Sequence, residues 1–260
     1  MTRQFQVNIP FRMLWDTYLE RFLEYKLNPE IGLDADALDN FSFSDFKKIA
    51  RLFKDKHRRV TFHGPFIDLS PGSNDPDIRA VTKKRLRQTL EIVPLFEPAS
   101  IVCHAGYDKT RYGFFRKEWM EKCLETWSWF GVQLEKEGTK LMLENVYESG
   151  PDDIIILFEN LEKDNVGFCL DPGHTFAFGD APLETWVRDL GKYVGQIHLH
   201  DNNGGEDEHL AVGTGSIDFQ PVFELLKSDR QNRIIITLEP HDEASLWPGL
   251  EFLEKVIPEY

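Results

Sequence analysis

Residues 167–174 read Gly167-Phe168-Cys169-Leu170-Asp171-Pro172-Gly173-His174. A short apolar run ends on a carboxylate, a Pro-Gly pair follows, and an imidazole stands three residues beyond the carboxylate. The run has the length and composition of a buried strand, and the Pro-Gly pair marks a tight turn at its exit. The same design recurs along the chain. Val60-Thr61-Phe62 ends in His63, Ile101-Val102-Cys103 in His104, and Leu141-Met142-Leu143 in Glu144. Ile197 leads into His198, and Ile235-Ile236-Thr237-Leu238 ends in Glu239.

Working outward from these runs, the pattern predicts eight strands: Gln6–Ile9, Glu30–Leu33, Val60–His63, Ile101–His104, Leu141–Glu144, Gly167–Asp171, Gly195–Leu199 and Ile234–Glu239. Helical segments are predicted after each, over Phe11–Lys26, Ser44–Lys56, Asp77–Phe96, Phe114–Glu137, Asp152–Lys163, Leu183–Leu190, Phe219–Ser228 and Glu243–Ile257. Ser44 and Asp45 are expected to cap the second helix, and Gly138 to end the fourth. Pro151-Asp152-Asp153 puts carboxylates at the positive end of the fifth. Strict alternation of strand and helix implies a parallel sheet with right-handed crossovers. No G-x-G-x-x-G follows the first strand, which weakens the open dinucleotide-binding alternative. Six strand ends carrying donors decide the matter. In an open sheet they would lie along a line, whereas in a (β/α)8 barrel they converge on one mouth, where barrel enzymes place their active sites. With 260 residues, 41% of them hydrophobic, and no Pro-, Ser- or Gly-rich linker, the chain is expected to form one barrel domain over residues 1–260.

The donor types define the chemistry. Imidazole with carboxylate and no thiolate suits Zn, Mn, Fe or Co. Asp207-Glu208-His209 adds a further pair in the loop after the seventh strand. The candidate ligands are therefore His63, His104, Glu144, Asp171, His174, His198, Asp207, His209 and Glu239, with Glu144 and Glu239 also candidate catalytic residues. Nine donors exceed what one four-coordinate ion can use, so two or three divalent ions, Zn or Mn foremost, are expected per chain. A lone strand-end His is more often a hydrogen-bonded structural residue; the convergent set reverses that balance. His57 is expected to be exposed. His200 and His241, just past expected ligands, are assigned no metal role and read as supporting or substrate-contacting groups. Trp119, Trp127 and Trp129 read as packing residues, and Trp15, Phe66 and Tyr147 as a wall of the mouth. Gly213-Thr214-Gly215 reads either as a simple turn or as a place where backbone approaches a ligand.

Charge and composition narrow the partners. The formal charge of −14, from 30 basic and 44 acidic residues, lacks the basic footprint that supplies non-specific affinity for nucleic acid. The cluster Lys83-Lys84-Arg85 with Arg87 lies in a helical pattern and reads as a solvated face. The βα loops read as short, leaving little to penetrate a duplex. No apolar run reaches the roughly 20 residues that span a bilayer. Met1 to Pro10 holds no signal-peptide core, and Cys103 and Cys169 sit in apolar strand runs as small core residues, so a reducing cytoplasm is expected.

In these residues the chain resembles the xylose isomerase-like barrel superfamily, which contains endonuclease IV and many sugar isomerases and epimerases. The matching pieces are His63-Gly-Pro-Phe66, His104-Ala-Gly106, Leu143-Glu-Asn145, Leu170-Asp-Pro-Gly-His174, Ile197-His-Leu-His-Asp201, Asp207-Glu-His209 followed by Gly213-Thr-Gly215, and Leu238-Glu-Pro240. They run in order from about residue 60 to 240; singly they are weak, and as an ordered set they are specific. The resemblance implies one of two chemistries. The isomerases and epimerases imply one metal on Glu144, Asp171, His198 and Glu239, with the two Glu shuttling a proton beside a carbonyl. Endonuclease IV-like phosphodiesterases imply three metals, adding His63, His104, His174, Asp207 and His209, with Glu144 bridging two ions. The complete donor set points to phosphoester hydrolysis, and the acidic, short-looped barrel to a small phosphoester or sugar substrate rather than DNA.

Overall fold

The computed structural model describes residues 5–161, 165–231 and 233–257. Its strands are β1 Phe5–Pro10, β2 Pro29–Gly32, β3 Thr61–His63, β4 Ser100–His104, β5 Lys140–Glu144, β6 Val166–Leu170, β7 Val194–Leu199 and β8 Ile235–Leu238. They pair in chain order, all parallel, and β1 closes on β8 through Phe5↔Ile236, Gln6↔Thr237 and Val7↔Leu238. The molecule is a closed (β/α)8 barrel, and all eight strands expected from the sequence are present.

The helical layer comprises α1 Phe11–Met13 and α2 Leu19–Glu24, α3 Ala35–Asn40, α4 Phe43–Asp55, α5 Pro76–Phe96, α6 Lys109–Tyr112, α7 Arg116–Lys136, α8 Ile155–Leu161, α9 Pro172–Phe178, α10 Leu183–Leu190, α11 Gln220–Ser228 and α12 Glu243–Val256. Several local expectations are corrected. A π-helical turn, Leu14–Tyr18, interrupts the first helical segment. Ser42, not Ser44, caps α4, because Ser42 and Asp45 exchange side-chain and backbone hydrogen bonds in a capping box. The fifth segment begins as a 3-10 turn over Pro151–Asp153 and continues as α8, and the expected end at Lys163 lies outside the described residues. The exit from β6 is a helix, α9, rather than a turn: Asp171 caps it by accepting the His174 backbone N–H, and Pro172 occupies the first helical position, where its missing N–H is harmless. The loops after β3, residues 64–75, and after β7, residues 200–219, have the lengths that the expected element bounds imply and correct the reading of the βα loops as short. Gly138 takes φ +71 just past α7, as a helix-ending glycine should.

The strand period of two sorts the side chains. One set, including Phe62, Ile101, Leu143, Phe168, Ile197 and Ile236, packs against the helices in one continuous core with Phe53, Trp119, Phe130, Phe158 and Trp186. The alternate set points into the barrel. Val102, Met142 and Cys169 form a small separate apolar cluster. Around them lies a polar layer that strand-end inspection does not reveal. Buried Glu30 on β2 accepts from Thr61 Oγ1 of β3 at 2.9 Å and Thr237 Oγ1 of β8 at 3.0 Å, and also from Gln196 Nε2 of β7. Ser100 Oγ donates to Gln196 Oε1 across the barrel at 2.6 Å. Two residues further along three of these strands stand His63, His198 and Glu239, so the polar layer is the floor of the mouth.

Candidate metal centre

The nine expected donors come together at the C-terminal mouth. Among the described residues five groups hold donor atoms within 4.8 Å of one another, and three of them together take in all nine: His63, His104 and Glu144; Glu144, Asp171, His198 and Glu239; and His174, His200, Asp207 and His209. Glu144 belongs to the first two. A cavity of about 620 Å³ opens over them, lined by seven of the nine, with Asp171 and His198 buried beneath. Phe66, Ile67, Tyr147 and Phe178 also line it. Trp15 does not: it packs against Phe11 and Phe41 beneath the Lys48 ammonium. His57 is exposed, Trp119 and Trp127 are buried, and Trp129 is partly buried.

Three imidazoles are oriented by the same device. Nδ1 of His63 lies 2.9 Å from the Gly64 carbonyl, Nδ1 of His174 lies 3.0 Å from the Asn145 carbonyl, and Nδ1 of His209 lies 2.8 Å from the Glu239 carbonyl. A carbonyl only accepts, so each Nδ1 carries a proton, and Nε2 is the nitrogen left to meet an ion once its own proton is displaced. Those Nε2 atoms face carboxylates: His63 faces Glu144 at 3.3 Å, and His174 and His209 face Asp207 at 3.4 and 3.0 Å. This is how proteins fix the tautomer of a metal-binding histidine. His209 reaches its position from a left-handed backbone, φ +51, a conformation sparsely used by residues other than glycine.

His198 occupies the centre. Its Nδ1 lies 2.8 Å from Glu144 and 3.0 Å from Glu239, and its Nε2 lies 2.9 Å from Glu30. These approaches are close, yet none has hydrogen-bond direction; His198 Nδ1, Glu144 Oε1 and Asp207 Oδ1 are all buried without a hydrogen-bond partner. Leaving such atoms unpaired costs about 1–3 kcal/mol each, more when charged. Convergent lone pairs that cannot satisfy one another are what a divalent cation would satisfy, so the donor set fits one. Burial works to raise the carboxyl pKa of Glu144 and Glu239, but the facing His198 overrides it and holds both well below the usual range. Burial likewise works to lower His174 and His198, and the surrounding carboxylates overcome it. Burial keeps the thiols of Cys103 and Cys169 protonated, which makes them poor ligands.

The supporting loops explain the precision. Asn145 clamps the exit of β6 both ways: its Nδ2 donates to the Asp171 carbonyl and its Oδ1 accepts the Asp171 N–H, each at 2.9 Å. Asp201 gathers the loop after β7. Its carboxylate accepts backbone N–H groups of Asn202, Gly213, Gly215 and Ile217 at 2.9 to 3.2 Å, and its backbone bridges Leu210 in both directions. A Cβ on Gly215 would overlap that carboxylate, so the Gly213-Thr214-Gly215 turn wraps a side chain of the protein itself.

Buried Glu148 braces the loops after β4 and β5 by accepting the Tyr107 and Val146 N–H groups. Burial pushes its carboxyl pKa from 4.5 to about 7, against those bonds. The folded state thus holds this proton more tightly than the unfolded state. Its contribution to stability is complete below pH about 4.5 and lost as pH rises through about 7. Wild type should therefore lose up to about 3 kcal/mol relative to Glu148→Gln between pH 5 and 8. Urea denaturation of both proteins with EDTA present measures this; an equal gap at the two pH values would contradict it.

The sequence profile of the xylose isomerase-like TIM barrel family matches residues 27–256. The chain belongs to that family. Members of this xylose isomerase-like family carry out different reactions, and the similarities here fall on both sides. An uncharacterized protein of Methanocaldococcus jannaschii is 30% identical over 175 residues, 65% of this chain and 60% of that relative, so the match spans less than two thirds of its length. A probable endonuclease 4 of Symbiobacterium thermophilum is 25% identical over 220 residues, 75% of this chain and 76% of that protein. Two solved structures superpose with a TM-score of 0.82 at 23% identity. The TTHB071 protein of Thermus thermophilus, from crystals soaked with ZnCl2, is covered over 98% of both chains. A D-tagatose 3-epimerase-like protein is covered over 97% of this chain and 96% of that one. At such identity these superpositions bear on the fold alone. No helix among the described residues is long and apolar enough to cross a membrane.

Proposed function

We propose that this xylose isomerase-like barrel is a multi-metal hydrolase acting on a small phosphoester. One observation carries the reading: all nine donors meet at one mouth, in two groups that share Glu144 and a third beside them, rather than only the four a single-ion site would use. His63, His104 and Glu144 would hold one ion, Glu144, Asp171, His198 and Glu239 a second, and His174, Asp207 and His209 a third. Bound divalent ions of the Zn or Mn type would supply Lewis acidity, activating water and steadying the leaving oxygen. The protein's own part is orientation and exclusion. Backbone carbonyls fix three imidazoles, Asn145 and Asp201 fix the loops, and Phe66, Tyr147 and Phe178 wall the cavity. Glu239, at the cavity floor, is placed to take a proton. A volume of about 620 Å³ suits a small metabolite, and the charge of −14 opposes a DNA substrate.

A second reading, sugar epimerisation or isomerisation at one metal, draws support from the placement of both Glu144 and Glu239 against His198 Nδ1, where they could flank one ion. Elemental analysis of purified protein separates the two. The hydrolase reading expects two or three ions per chain, fewer in His104→Ala and His209→Ala, and metal-dependent cleavage of bis(p-nitrophenyl) phosphate. One ion per chain, unchanged in both variants, with solvent deuterium entering a ketose, would instead establish the epimerase reading.

A further inference from the structure

The third donor group holds one more imidazole than the three-metal reading uses. His200 follows His198 by two residues, so the strand period sends both rings toward the mouth. It is buried, and its ring stacks on that of His209 at 3.8 Å between centroids and 8° between planes. Its Nε2 lies 3.5 Å from Asp207 Oδ1 and 3.2 Å from Asp171 Oδ2, while its Nδ1 is buried without a partner. The Nε2 atoms of His174 and His209 approach the same Asp207 carboxylate at 3.4 and 3.0 Å. A tetrahedral ion with bonds of about 2.0–2.1 Å has donor–donor edges of about 3.3–3.4 Å. The His174 and His209 distances, both to Asp207 Oδ2, lie near that length, and His200 meets the other oxygen, Oδ1, of the same carboxylate.

The backbone is cut to fit this ring. A Cβ on Gly173 would overlap the His200 imidazole, so any other residue at the second position of α9 would displace it. Asn202 Nδ2 donates to the Gly173 carbonyl at 3.0 Å and holds the two segments in register. Glycine inside the first turn of a helix is locally unfavourable, and the space it leaves is filled by His200.

Resting on the multi-ion reading above, we infer that His200 is a fourth protein ligand of the loop-side ion, which is held by His174, His200, Asp207 and His209. Three imidazoles and one carboxylate would supply four protein donors, enough to fill a four-coordinate ion without water or substrate. Closed coordination marks structural sites, and catalytic sites keep a position for water or substrate. The loop-side ion would then supply charge from a loop that Asp201 already holds, while substrate would meet the ions at the two groups that share Glu144.

The test compares wild type, His200→Asn and Gly173→Ala after loading with Zn2+ and desalting. Ions are counted by elemental analysis, and their release is timed with a chromophoric chelator. Wild type is expected to hold three ions and to release one of them slowest. His200→Asn should lose that ion, or release it faster by about tenfold or more, and keep the other two, whose retention shows the barrel is folded. Gly173→Ala, which leaves every donor in the sequence but displaces the ring, should lose the same ion. Wild type loaded with Co2+ should show the strong visible absorption of tetrahedral cobalt. Its absence overturns the proposal without recourse to any variant. Three ions in His200→Asn, released as in wild type, would reduce His200 to a hydrogen-bond partner of Asp171 and leave the multi-ion reading intact. A single ion in wild type would remove both.

Discussion

Replacement of Glu144 by Ala is expected to lower metal content more than any other single change. Glu144 joins the His63–His104 group to the Asp171–His198–Glu239 group: its Oε2 faces His63 and His104, and its Oε1 faces His198. Removing it strips a ligand from two ions at once, whereas loss of His104 or His209 touches one group. The ions should fall from three to one, and turnover of a phosphodiester by about 10²–10⁴-fold or more, as when a group acting directly on the reaction is lost. Stability should follow. An ion bound at 100 times its Kd contributes about 2.7 kcal/mol to the folded state, so two lost ions remove about 5 kcal/mol in metal-containing buffer. With EDTA, wild type should lose the contribution of three ions and Glu144→Ala that of one, so the gap of about 5 kcal/mol should close. Trp15→Ala is the control, because Trp15 lies against Phe11 and Phe41 outside the mouth. Metal content in Glu144→Ala no lower than in that control would end the assignment.

The second large effect is expected at Glu30, which binds no expected ion. Its carboxylate is fully buried and is the common acceptor for Thr61, Gln196 and Thr237, and it lies against His198 Nε2. Glu30→Ala removes the acceptor of the Thr61 and Thr237 hydroxyls and leaves Gln196 Nε2 only its bond to Thr237 Oγ1. Removing one side of a buried charged pair costs about 3–5 kcal/mol, because the remaining polar groups stay desolvated. Glu30→Gln keeps one acceptor oxygen but turns an amide N–H2 toward the other donors, and should fall between. Both variants should also bind the central ion more weakly, since the His198 ring loses what holds its far edge. Urea denaturation of metal-free protein measures the first effect and metal titration the second. A loss in Glu30→Ala below about 1 kcal/mol would mean the network is easily replaced by water.

Glu30 also shows where sequence reading reaches its limit. The donors at β3 through β8 are legible because each stands where an apolar run stops, and the barrel is legible because such ends occur in order. The layer beneath them is written in the same runs at the alternate period. Thr61, Gln196 and Thr237 each precede a donor by two residues, yet they look like ordinary strand residues among Ile and Val. Their signal lies in the period of two inside a closed sheet, and it gains meaning only once closure turns one strand face inward. His200 reads from sequence only as a supporting or substrate-contacting group, because its two-residue step from His198 carries it beyond the expected end of the strand. The helix α9 is hidden because Asp-Pro-Gly is a common turn sequence, and only the capping bond from Asp171 to the His174 N–H reveals a helix start. Trp15 fails for the opposite reason, since an aromatic residue just past a strand can be drawn to the nearest apolar neighbours instead of the mouth.

The carboxylate of Asp201 changes how the loop after β7 should be regarded. Residues 200–219 form a long excursion without a helix, and a free chain of that length would surrender much motional freedom when Asp207 and His209 were captured by an ion. Four amide hydrogens converging on one side chain remove most of that freedom during folding itself. The donors outside the strands are consequently as preorganised as those within them. Differences in cation affinity between the two sides of the mouth should then arise from the identity and number of ligands, and hardly from the entropy of a loop finding its place.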